Sequence, residues 1–196
     1  MILEGIVVTT NENGTPNISP MGPMIEDQTV SHFLLRPFQT STTYKNLKRT
    51  GFGVLHVTDD VSIFVDGVLR KFDRLPKTFA AEKVDGFVLE DCCRYFEFKV
   101  VDLNDSEERT EINCETVLAA ERRPFFGFNR AKHAVLEAAI LASRVHLIEG
   151  DEIAKQMKHL KIIVDKTAGD AESRSFAKIE AFLERAVGDN GEPILA

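Results

Sequence analysis

Short apolar runs separated by turn residues fill the chain up to about residue 122, and from about residue 129 the apolar positions recur at helical spacing. Residues 2–10 are rich in β-branched side chains and predict a strand. They lead into Asn11-Glu12-Asn13-Gly14, and Asn-Gly between extended runs signals a hairpin. The return strand, residues 15–21, carries Pro16 and Pro20, with Pro23 just beyond. Proline has no N–H for a ladder, so this strand belongs at an edge or carries a bulge. Residues 29–35 and 53–58 predict two more strands around a short helical segment. Residues 61–71 read as a helix that Gly67 weakens by about 1 kcal/mol. Residues 94–103 alternate apolar and polar positions, and residues 109–120 pair with them across the polar turn Asn104-Asp105-Ser106-Glu107.

In the second half Ile153, Met157, Leu160 and Val164 make one helical stripe, and Phe176, Ile179, Leu183 and Val187 make another. Gly150-Asp151 and Gly169-Asp170 each read as a C′ glycine followed by an N-cap aspartate, and Gly188 as the last stop. Three helices are expected at about 130–148, 152–167 and 171–187. No linker composition separates the two textures, and no repeat or low-complexity segment is present.

Composition narrows the class. A chain of 196 residues with 43% apolar and 28% charged positions is globular, and about 70% of its unfolded surface can be buried without disulfide or metal staples. Twenty-four Lys and Arg against 31 Asp and Glu leave a net charge of −7. That balance argues against nucleic acid and against anionic membranes, which need clustered positive charge. No apolar stretch approaches the roughly 18 residues of a membrane span. Glu4 interrupts the first apolar run and no basic residue precedes it, so a signal peptide is not expected. The three cysteines, Cys92, Cys93 and Cys114, are odd in number and include an adjacent pair, which points to free thiols in a reducing cytoplasm.

The densest candidate chemistry lies between Arg36 and Arg49. Thr40, Ser41, Thr42 and Thr43 cluster where a helix should start, one strand end after Arg36. Helix N-termini carry unpaired N–H groups and partial positive charge, hydroxyls add donors, and an arginine adds a charge-assisted contact. With Lys45, Lys48 and Arg49 this forms a positive patch on an acidic chain, suited to a small anion such as phosphate. The same residues also serve as ordinary N-caps and dipole partners. Residues 15–23 are polar and proline-rich, with Gly22 permitting close backbone approach, and read either as a ligand-lining strand or as a protected edge.

Together, VVTTNENGTPNISPMGPM and FLLRPFQTSTTYKNLKRTGFGVLHV resemble the N-terminal core of FMN-binding split-barrel proteins, the flavin reductase-like group. The chain is similar throughout to the uncharacterised domain-of-unknown-function family numbered 447, which carries the RPF-x-TS-x-TY-x-NL motif and a helical C-terminal part. The resemblance implies an α+β fold: an antiparallel, Greek-key-like split β-barrel over residues 1–125. A helical subdomain over residues 126–196 would pack on the barrel or on a dimer partner. It implies a homodimer with FMN at the interface. Arg36, Thr40, Ser41, Thr42 and Thr43 would hold the phosphate, with Asn46 nearby and Pro37 and Phe38 in the same motif. Asn17, Ser19, Met21 and Gly22 would line the isoalloxazine and ribityl chain.

The segment Glu121 to His133 joins the two textures. Asn129 is a candidate N-cap, and Arg122, Arg123, Arg130 and Lys132 gather positive charge. Phe125, Phe126 and Phe128 offer planar faces. Phe126, Asn129 and Arg130 therefore join the candidate cofactor set as a far wall of the flavin pocket, with a dimer-interface plug as the alternative. The five histidines show no ligand spacing, and nucleotide-loop and hydrolase motifs are absent. The C-terminal half holds no signature for a nicotinamide substrate. Three readings follow: a flavin-dependent oxidoreductase fed by a nicotinamide or deazaflavin, an FMN carrier or sensor, and a structural dimer without cofactor.

Overall fold

The computed structural model describes residues 1–188, with side chains as far as residue 186. It comprises two compact units, one of residues 1–58 with 75–125, the other of residues 59–74 with the segment from residue 126 onward. In chain order the first unit holds β1 (Gly5–Thr10), β2 (Pro16–Met21), β3 (Met24–Ile25), β4 (His32–Leu35) and α1 (Thr42–Thr50). Then come β5 (Phe52–Val57), β6 (Thr78–Ala80), β7 (Phe87–Leu89), β8 (Arg94–Asn104) and β9 (Glu111–Glu121). The second unit holds α2 (Val61–Val68), α3 (Arg130–Ser143), α4 (Gly150–Thr167) and α5 (Asp170–Gly188). The fold is α+β, as the resemblance implies.

Seven strands form one antiparallel sheet in the order β2-β1-β5-β8-β9-β4-β3. The proline-bearing strand β2 lies at its edge, where the missing N–H groups cost no ladder bonds. Gly14, at φ 79, makes the β1–β2 turn that Asn-Gly announces. Residues 1–3 do not extend β1, contrary to the expected start at residue 2. Ile2 bridges to Met24, Leu3 N–H donates to the Pro23 carbonyl at 3.0 Å, and Ile25 N–H donates to the Met1 carbonyl at 2.8 Å. These bonds join the β3 edge to the run-in of β1 and curl the sheet on itself.

Val7, Phe33, Leu35, Leu55, Phe96, Phe98 and Ile112 fill the concave side, and Tyr44 and Leu47 of α1 plug it. The other face of β1, β5 and β8 is covered by residues 78–90, whose two short strands give no periodic signal in the sequence. There His56 lies fully buried: its Nε2 accepts from Leu89 N–H at 3.0 Å, and its Nδ1 faces the Ile6 carbonyl at 3.2 Å. Burial pushes His56 down to about 4. Glu97 is also fully buried, its carboxylate accepting from the N–H groups of Glu82 (2.8 Å), Lys83 and Val84 (3.1 Å).

The expected strand over residues 29–35 begins only at His32, because Val30 adopts φ 54 and turns the chain. In the helical unit Ile153, Met157, Leu160 and Val164 are buried with Phe176, Ile179 and Leu183, so both stripes form the core. Val187 lies outside the residues with described side chains, and α5 runs to Gly188, the end of the described chain. The first helix ends at Ser143 rather than near 148. The two Gly-Asp pairs correct the capping expectation. Gly150 is already helical and the cap position is Glu149, with Asp151 and Glu152 in the first turn. Gly169 precedes α5, and its N–H donates to Glu172 Oε2 at 3.0 Å. The aspartates thus face the positive helix ends from inside the first turn.

Candidate functional site

Two hydrogen bonds and a loop fix the start of α1. Ser41 is the N-cap, extended at φ −72 and ψ 146, and its hydroxyl accepts from Tyr44 N–H at 3.2 Å. Ser41 N–H itself donates to the Phe38 carbonyl at 3.0 Å. Thr42 and Thr43 then supply the N–H groups that a first helical turn leaves without a carbonyl partner. No acidic residue stands in that turn, whereas α4 and α5 both start with acidic side chains. Thr40 and Thr42 are exposed and Ser41 is half-buried, so a cap, two free hydroxyls and two N–H groups converge on one helix end.

The loop before α1 is tied to the β8–β9 turn. Gln39 N–H donates to the Glu108 carbonyl at 2.9 Å, and its amide donates to the Asp105 and Glu107 carbonyls. Buried Pro37 offers its carbonyl to Thr110 N–H and hydroxyl. Phe38 is exposed, with the Arg109 guanidinium 5.4 Å from its ring centre. Arg36 stands 3.7 Å from Glu111, both about half exposed, and shares a 440 Å³ cleft with Asn104, Arg109 and Glu111. A long, exposed ion pair of this kind holds its arginine weakly.

The positive patch is smaller than the sequence suggests. Lys48 Nζ bonds Asp105 at 2.7 Å and the Tyr44 hydroxyl at 3.1 Å, and the bond to Asp105 raises its pKa. The Arg49 guanidinium donates to the Thr10 carbonyl. Both occupy the last turn of α1, where cations complement the dipole, and not its start.

Two residues expected beside the phosphate point inward. Thr43 and Asn46 are buried, and so is Thr9 of β1. Asn46 Nδ2 donates to Thr9 Oγ1 and Asn11 Oδ1, both at 3.0 Å. Asn17 Nδ2 donates to Thr9 Oγ1 at 3.1 Å and to Thr43 Oγ1 at 3.2 Å. Thr9 and Asn11 lie outside the expected site set, although the Asn-Gly turn sets Thr9 directly opposite Asn17. Ser19 and Met21 are half-buried on β2, and Gly22 is exposed, where a Cβ would meet Ile2 Cγ2 at 2.9 Å and force that side chain to shift.

Phe126, Asn129 and Arg130 belong to the helical unit. Asn129 caps α3, accepting from Lys132 N–H at 3.1 Å and donating to the Thr167 carbonyl at 3.1 Å. Arg130 is exposed in the first turn, and Phe126 is 82% exposed, its N–H bonded to Asp59 at 2.7 Å. Three cations of this segment have partners within their own unit. Arg122 lies over the Phe79 ring at 4.9 Å, Arg123 bonds Asp91 at 2.6 Å, and Lys132 stands 3.7 Å from Glu172. All three cysteines are buried and none is in a disulfide; burial pushes Cys92 up to about 11 and raises Cys114 as well. No helix among the described residues is long and apolar enough to cross a membrane.

The models of a protein family of unknown function, DUF447, match residues 3–123 with the N-terminal domain and residues 129–181 with the C-terminal part. Among solved structures, the FMN-bound protein MM1853 of Methanosarcina mazei superposes with a TM-score of 0.77 at 22% identity, covering 92% of this chain and 94% of that one. The flavoredoxin of Desulfovibrio vulgaris reaches 0.52 at 12% identity over 61% and 69%. The 2-nitrobenzoate 2-nitroreductase NbaA of Pseudomonas fluorescens reaches 0.51 at 17% identity over 61% and 64%. These likenesses establish the split-barrel fold. No curated protein sequence matches the chain.

Proposed function

The chain belongs to the DUF447 family, and from that premise we propose that it binds FMN in the split barrel and serves as a flavin-dependent oxidoreductase of unknown substrate. The observation that carries this reading is the start of α1: Ser41 as cap, exposed Thr40 and Thr42, open N–H groups at Thr42 and Thr43, and no acid in the first turn. A donor set with that polarity fits a phosphate dianion. The FMN of the Methanosarcina relative supports the choice of anion.

In this reading Thr40, Ser41 and Thr42 donate hydroxyls to the phosphate, and Arg36 leaves its weak pairing with Glu111 to add a charge-assisted bond. Pro37 and Phe38 hold the loop in place through the Thr110 and Arg109 contacts. Ser19, Met21 and Gly22 lie along the ring and ribityl chain. Phe126, Asn129 and Arg130 complete the cofactor set, with Lys132 Nζ 5.8 Å from the Phe126 ring centre. FMN, when bound, supplies hydride transfer; the chain binds it, orients it and controls access. The assembly is a homodimer with FMN at the interface, a nicotinamide or deazaflavin is the small-molecule electron donor, and a reducing cytoplasm suits the three free thiols.

A carrier or sensor without turnover is favoured by one observation. The groups pushed furthest toward their neutral forms, His56, Cys92 and Cys114, are all buried in packing, where they hold the fold and do not meet a substrate. Purified protein should be yellow and should release FMN on denaturation, identified by mass. Colourless protein that ignores FMN in a fluorescence titration overturns both flavin readings. Anaerobic mixing with NADH, NADPH or reduced deazaflavin separates the two, because bleaching requires electron transfer. Light scattering at the mass of one chain with FMN bound would overturn the dimer.

A further inference from the structure

The hydrogen bonds joining α1 to the β1–β2 hairpin are more than packing requires. Tyr44 and Leu47 already bury the apolar face of α1 inside the barrel. Beside that contact lies a second, wholly polar one. Thr9, 1% exposed, receives amide N–H groups from Asn17 and Asn46 on one oxygen, and Asn17 reaches on to Thr43, 2% exposed. Asn46 also bonds Asn11 and accepts from Arg49 at 3.3 Å.

A buried polar network adds little net stability over an apolar contact of the same shape, because its members give up hydration. What it adds is a single geometry. Oxygen and nitrogen must meet at about 3 Å along set directions, whereas apolar side chains slide. The network holds one face of α1 at two heights, through Thr43 in the first turn and Asn46 one turn on. The rotation and height of the turn that presents the Thr42 and Thr43 N–H groups are therefore set from β1 and β2.

We infer that Thr9, Asn17 and Asn46 are positioning residues for the phosphate end of the cofactor, acting through Thr43 and the first turn of α1. This inference rests on the FMN reading. It also moves Asn17 and Asn46 from the surface of the ligand to the layer behind it. Their amides are spent on Thr9, Thr43 and Asn11. Loss of the network should then weaken recognition of the phosphate and leave recognition of the ring unchanged.

The experiment compares FMN with riboflavin, which has the same ring and ribityl chain and no phosphate, in fluorescence titrations of the full chain. T9V keeps the shape of the side chain and removes the shared acceptor. It should weaken FMN about tenfold, the scale of one mispositioned hydrogen-bonding group, and leave riboflavin affinity within twofold. T9S, which restores the hydroxyl, should recover FMN affinity. N17A, on a half-buried edge-strand position that tolerates truncation, should repeat the T9V pattern should T9V fail to fold. Equal loss of FMN and riboflavin in N17A would make Asn17 a ring contact and overturn the inference, as would unchanged FMN affinity in T9V. Wild-type chain that binds no FMN overturns the proposed function and the inference with it, whereas wild-type binding with either contrary variant result overturns the inference alone.

Discussion

Replacing Glu97 by glutamine tests the interior of the barrel unit with a change of one atom. Glu97 is fully buried on β8 beside Val54 of β5, under residues 82–84. One carboxylate oxygen accepts from Glu82 N–H and the other from both Lys83 and Val84 N–H. Glutamine keeps one acceptor oxygen. Placed toward Lys83 and Val84, it retains two bonds without their charge, and its NH2 group then faces the Glu82 N–H, donor against donor. A hydrogen bond to a charged group contributes about 1.5–3 kcal/mol, and a buried donor left unsatisfied costs about 1–3 kcal/mol. Desolvation of the original carboxylate offsets part of this. The expected loss is about 2–4 kcal/mol in urea unfolding. Amide hydrogen exchange should locate it, with Glu82, Lys83 and Val84 losing protection first. A variant within about 0.5 kcal/mol of wild type, the level of an ordinary surface change, with protection intact at those three amides, would refute the claim that the carboxylate holds this loop.

Other expectations follow from individual groups. His56 is neutral in the fold and titrates at about 4, against 6.5 when unfolded, so the unfolded chain binds more protons between those values. Its contribution is complete above pH 6.5 and is lost as pH falls toward 4, by about 3 kcal/mol in all; a H56Q variant should lack this segment of the stability–pH curve. R36A should leave the unfolding midpoint nearly unchanged, since its ion pair is long and exposed, and should weaken FMN by about 1.5–3 kcal/mol; unchanged affinity removes Arg36 from the phosphate site. Native protein should react with a thiol reagent only at the rate of unfolding, because all three cysteines are buried and two have raised pKa values; three equivalents of fast labelling would contradict that.

Much of the architecture is legible without coordinates. Alternation in residues 94–103 identifies β8, the Asn-Gly turn places β1 against β2, and the prolines send β2 to the edge. The two helical stripes name the α4 and α5 side of the second unit's core, while its α2 and α3 members, among them Val61, Val65 and Val135, stand in neither stripe. The hydroxyl cluster and Ser41 mark the start of α1. These signals survive because each depends on neighbours within one or two turns of chain. The strands of residues 78–80 and 87–89 do not announce themselves, since three residues are too few for a period.

Local pattern therefore determined most of the element types, the edge strand, the buried stripes of α4 and α5 and the hydroxyl-rich start of α1. Tertiary structure decided which polar residues look outward. Glu97 sits on the polar side of an alternating strand, where sequence alone expects water, and a loop from 82–84 covers it. Asn17, Thr43 and Asn46 carry the polarity of ligand contacts, yet they turn toward one another around Thr9. The physical reason is the same in both cases. A polar side chain needs a partner, and sequence shows the need, while only the packing of distant segments determines whether water, a ligand or the protein's own backbone meets it.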